Sequence, residues 1–139
     1  MNIPNQAKDL IIEEIKIAVN MMRESQEASE KLFYFSAISG ILQRVYNIEY
    51  DEDLVFAHFI ISSTHQGFLQ RLSAIRQGGD RTIILSDEQL DKLTVLAEEL
   101  SEKIKKNEDI IDALKKFVVL LYSTQGNGYY LMKKGVLKI

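Results

Sequence analysis

The chain contains no cysteine, which excludes disulfide bonds, thiolate metal sites and a cysteine nucleophile. A chain without thiols is compatible with the cytoplasm. No run of about 18 apolar residues is present, as a membrane-spanning helix would need. The first residues also lack the basic stretch and apolar run of a secretory signal. We therefore expect a cytoplasmic protein with no membrane contact.

Proline and net charge are also scarce. The one proline is Pro4, which suits the first turn of a helix because its missing N–H would have no partner there. The formal net charge of −3 argues against a protein that coats nucleic acid through bulk charge. With 139 residues, 46% of them hydrophobic, the chain can bury a stable core without a disulfide bond or a structural metal ion. We expect one helical domain over 1–139.

Apolar side chains recur at helical spacing through most of the sequence. Ile11, Ile15 and Met22 define one face of a first helix over 4–23. The polar stretch 24–30 separates it from a second helix that ends near Tyr46.

Local signals mark the ends of the later helices. Asp51 suits the N-cap of a third helix, and Gly78 and Gly79 supply its C-terminal end. Ser86 followed by Gln89 is a capping box that opens a fourth helix. The apolar pattern then predicts a fifth helix over about 108–124.

The remaining segments resemble strands. Residues 82–85 are short and rich in β-branched side chains, and 129–139 resemble two short strands around a Lys-Gly turn. A lone hairpin is marginal in water, so we expect these segments to pair as a small three-stranded sheet. The predicted fold class is mainly α, a bundle of about five helices with a small β appendage at 82–85 and 129–139.

The two histidines, His58 and His65, are seven residues apart and point to the same side of the third helix. Their separation of about 10 Å along the helix is too long for a shared metal ion. Ser62 lies between them within hydrogen-bonding reach, but no orienting carboxylate or glycine-rich elbow accompanies it. The histidines could be core or interface residues, line a binding pocket or act in catalysis. We expect no metal and no cofactor.

Basic residues form a second candidate site at the end of the third helix and in the C-terminal segment. Guanidinium groups there could bind phosphate, and aromatic rings beside basic groups suit single-stranded nucleic acid. No lysine follows the glycines, which excludes a nucleotide P-loop. The alternative is a cationic last turn and a solvated tail. The candidates are Arg71, Arg76, Arg81, Lys133, Lys134, Lys138, Tyr129 and Tyr130.

Apolar residues nearly surround the second, third and fifth helices, and Phe56 and Phe59 lie off the main stripe of the third. We therefore expect a non-catalytic helical interaction subunit that binds itself or another protein. One alternative is a nucleic-acid-associated subunit with a basic surface. The other is a small-molecule or catalytic pocket around the histidines.

Overall fold

The structure, a computed structural model, describes all 139 residues. It contains six α-helices and no sheet. The helices are α1 (Asn5–Glu24), α2 (Ala28–Tyr46), α3 (Glu52–Arg76), α4 (Asp87–Lys105), α5 (Ile111–Tyr122) and α6 (Gly128–Lys133). The predicted mainly helical bundle is confirmed.

The five long helices form a closed ring around one core. α1 packs against α2 and α4, α2 against α3, and α5 closes the ring between α3 and α4. The centre holds fully buried aromatic side chains, among them Phe35, Phe68 and Phe117. The rings of Phe35 and Phe117 lie 6.0 Å apart, within the range of favourable aromatic packing. Each helix therefore buries one face and presents the opposite face outward.

Side-chain caps set the helix starts that the sequence predicts. The Asp51 carboxylate accepts hydrogen bonds from the backbone N–H groups of Asp53 and Leu54, which confirms it as the N-cap of α3. Ser86 and Gln89 form both hydrogen bonds of the capping box. α5 starts later than expected because Asn107 has a positive φ of 60° and the Asp109 carboxylate holds the Ile111 N–H.

The prediction of a β appendage at 82–85 and 129–139 is wrong, because the structure contains no sheet. Residues 129–139 form no strands, since their first part is α6. Gly128 lies against the Tyr122 backbone with no room for a Cβ, so the chain folds back at the end of α5. A helical turn then buries Gly128 and Met132 on one face. Residues 82–85 form one isolated bridge, from Ile83 to Gln125, which lies outside the segment 129–139 predicted to pair with them.

The fully buried Gln89 side chain joins the start of α4 to the end of α5. Its Oε1 accepts from the Ser86 N–H at 2.7 Å, and its Nε2 donates to the Ser123 carbonyl at 2.9 Å. A second bond reaches the Ser123 hydroxyl at 3.2 Å. Because both ends of the amide are satisfied, this polar group is buried without a large desolvation cost.

We expect Gln89→Ala to lower the free energy of unfolding by roughly 2 to 4 kcal/mol, since it unpairs buried groups and leaves a cavity. Urea unfolding measures the change. Gln6→Ala removes the same side chain from an exposed position on α1 and should stay within about 0.5 kcal/mol of the original chain. Equal losses in the two variants would contradict the role given to Gln89.

Candidate functional site

His58 lies in the seam between α2 and α3 and has a partner on each helix. Its Nε2 is 3.2 Å from the Ser62 hydroxyl, one turn along α3. Its Nδ1 is 3.5 Å from the Tyr46 hydroxyl of α2, and the two rings meet edge to face at 5.3 Å. Neither partner is a carboxylate, so the group lacks the orienting anion of a catalytic triad.

His65 is half-buried one helical turn beyond Ser62, with its ring centroid 6.3 Å from that of Phe35. Burial lowers the pKa of His65, because desolvation penalises the charged ring, and the Leu32 backbone opposes this shift by a smaller amount. The structure therefore gives the two histidines separate surroundings.

The surroundings of the histidines are packed. The protein surface has five grooves, and none is lined by His58, Ser62 or His65. No three histidine, aspartate or glutamate side chains are grouped as a metal site would require. The geometry therefore places these residues in a helix–helix seam.

Arg71 is turned inward. Its Nη1 donates to the Gly67 carbonyl at 3.0 Å and its Nη2 to the Gln125 side chain at 3.2 Å, while its Nε is buried without a partner. Burial also lowers the pKa of Arg71. Gly67 lies closely against Leu121, so α3 and α5 meet tightly here. Arg71 therefore links α3 to the segment that follows α5.

The exposed basic candidates are divided among different parts of the surface. Arg76 borders a groove with Ser29, at the start of α2. Lys138 borders another groove with residues of α4 and α5. Lys134 is exposed on the turn after α6, with no carboxylate partner in the structure. These three cations do not line a common groove.

One part of the predicted basic surface is brought together without the expected sheet. The Gly126 N–H donates to the Thr82 carbonyl, which places Arg81 near the start of α6. The adjacent Tyr129 and Tyr130 rings meet edge to face at 5.8 Å. Lys133 lies 5.8 Å from the Tyr129 ring centroid, but its Nζ is paired with Glu88 at 2.7 Å.

α2 and α3 present a neutral surface that extends beyond Phe56 and Phe59, the exposed apolar residues predicted from the sequence. No Asp, Glu, Lys or Arg occurs in 32–43 or in 54–70, whereas α4 has nine such residues among its 19. We define the outward residues of these two stretches as the neutral face. Its members are Phe33, Ser36, Ala37, Gly40, Gln43, Val55, Phe56, Phe59, Ser63, Gln66, Leu69 and Gln70.

The neutral face exposes large aromatic side chains. Phe33 is 69% exposed and Phe59 is 64% exposed, with Phe56 one turn before Phe59 on the same helix. Because α2 and α3 are neighbours in the ring, their outward faces adjoin. Counting charges helix by helix is the sequence signal that could have found this surface.

We expect an NMR titration of the His65 ring to give a midpoint below 6.5, histidine's ordinary pKa, because burial disfavours the charged ring. A lowered folded-state pKa means that the unfolded chain binds this proton more tightly. The stability that neutral His65 contributes is therefore complete above pH 6.5 and declines as the pH falls through the folded-state pKa. A midpoint at or above 6.5 would contradict the burial effect.

None of the six helices combines the length and apolar content that a membrane crossing requires. Comparison of the chain with protein-family models, curated proteins and solved structures finds no match. A function for this chain therefore has to follow from its own geometry.

Proposed function

We propose that this chain is a non-catalytic, cytoplasmic interaction subunit that binds a protein partner through the neutral face. The observation that carries the proposal is the exposure of Phe59 on a helix stretch, 54–70, that contains no charged residue. Single exposed apolar residues are common on protein surfaces. Exposed aromatic side chains in stretches without charges resemble the centres of protein interfaces, which are depleted in Lys, Glu and Asp and enriched in Phe and Met.

Charged residues border the neutral face at its ends. Arg44 is exposed near the end of α2, and Glu52 is exposed at the start of α3. Glu30 is exposed before the neutral stretch of α2. A neutral centre with a charged rim is the usual anatomy of a specific interface, since rim charges remain solvated when the centre is covered.

The neutral face rests on a rigid base. The opposite side of α3 contributes Ile61 and Phe68 to the core, and the opposite side of α2 contributes Phe35. A partner would therefore meet side chains on preformed helices. Binding to such a surface loses less conformational entropy than the ordering of a flexible loop.

The two alternatives have weaker support. A nucleic-acid surface would need several free cations side by side, but Lys133 is paired with Glu88, and the exposed Arg76, Lys134 and Lys138 do not line a common groove. A pocket at the histidines would need open space beside them, and their seam borders none of the five grooves. An exposed neutral surface favours a protein partner over both.

A photo-crosslinking phenylalanine analogue at position 59 should give one discrete covalent product in cells that make the protein, because the partner would cover this ring. Gel mobility and mass spectrometry of the purified product would measure its size and composition. The matched control carries the same analogue at Ile17, which is 53% exposed on α1 beside Glu13, Glu14 and Lys16.

The control should give no discrete product, since a charged face is unsuited to the same partner. The absence of a product at position 59, or an identical set of products at positions 59 and 17, would sink the proposal.

A further inference from the structure

We infer that the partner covering the neutral face is a second copy of this chain, related by a two-fold axis that places the two α3 helices antiparallel. This inference rests on the proposed function and specifies its partner. It follows from three properties of the neutral face: its charge, its size and the arrangement of its bulky and smaller side chains.

Charge complementarity favours a second copy. A partner with an acidic or basic surface would bury its charges against 54–70 and 32–43, where no opposite charge can pair with them. The neutral face of another copy brings no charge of its own. Glu52 remains at the edge of such a pair and in water, and the exposed Arg44 side chain, whose guanidinium lies beside Gly40, would turn outward to do the same.

The size of the neutral face fits a small, reversible interface. The 17 residues of 54–70 extend about 25 Å along α3, and the 12 residues of 32–43 extend about 18 Å along α2, at about 1.5 Å per residue. Each helix contributes a strip roughly 10 Å wide. The two strips cover roughly 430 Å² on each copy, and the total of about 860 Å² is the size of a weak, reversible complex.

The arrangement of bulky and smaller side chains along the neutral face also fits an antiparallel pair. The bulky side chains Phe56 and Phe59 occupy the N-terminal half of the α3 strip. Its C-terminal half carries the uncharged polar side chains Ser63, Gln66 and Gln70 and one exposed apolar side chain, Leu69. Rotation about a two-fold axis at Ser63 lays Phe56 and Phe59 of each copy over this mostly polar half of the other copy. A parallel pairing would instead oppose aromatic rings to one another and leave gaps beside the serines.

Sedimentation equilibrium of the purified chain tests the pairing. We expect a reversible species of twice the chain mass, with a dissociation constant that rises at least tenfold in Phe59→Lys. Ile17→Lys places the same charge on α1 and should change this constant less than threefold. Gln66→Lys is a second variant at an exposed polar position and should weaken the pair in the same direction. Circular dichroism verifies that each variant is folded.

The geometry of the pair has its own test, because the chain has no native cysteine to interfere. Under mild oxidation Ser63→Cys should form a disulfide-linked dimer, since the axis brings position 63 of one copy next to position 63 of the other. Asn20→Cys, exposed on α1, should remain unlinked under the same conditions.

The outcomes separate this inference from the proposed function. A chain that stays monomeric at about 100 μM and whose Ser63→Cys variant does not cross-link overturns the second copy as partner. If position 59 nevertheless cross-links to a different protein in cells, the interaction role stands and only the identity of the partner is wrong. A monomer that also gives no product at position 59 overturns both.

Discussion

The closed ring of five helices is the constraint on which the rest of the structure depends. Each helix contacts two neighbours, so its inward face must fill a shared core around Phe35, Phe68 and Phe117. Truncating one buried Phe to alanine in such a core typically costs about 3 to 5 kcal/mol. Substitution of these buried side chains would destabilise the fold. The residue types of each helix can therefore differ without that cost only on its outward face.

The outward faces of the helices differ in charge, and the helices with few charges are neighbours in the ring. α4 carries a charged exterior with ion pairs such as Arg23 to Glu98 and Lys116 to Glu99. These pairs are exposed and stabilise the fold little, but they keep that side hydrated. In 32–43 of α2 and 54–70 of α3 the exposed side chains are aromatic, aliphatic, serine or amide. Because the ring makes α2 and α3 neighbours, two neutral strips become one surface.

Sequence reasoning succeeded where the determining interaction was local. Asp51 caps the helix that it begins, and Ser86 bonds a residue three places on, so both helix starts could be predicted. The pairing of His58 with Ser62 was also within reach, since both lie on one helix turn. Contacts between residues distant in the sequence could not be predicted in this way. The fold of the C-terminal segment depends on the close approach of Gly128 to the end of α5, and strand-like composition could not reveal it.

Several of the polar groups that stand out in the sequence have hydrogen-bond partners within the fold. His58 has hydroxyl partners on two helices, Arg71 bonds the backbone of its own helix, and Lys133 has its carboxylate. A group with such partners gains little from an external ligand, since binding would first break an existing hydrogen bond. The exposed Phe59 has no comparable arrangement, and covering its ring would release water without breaking a hydrogen bond of that side chain. Covering the neutral face would therefore disturb fewer existing hydrogen bonds than covering these polar groups.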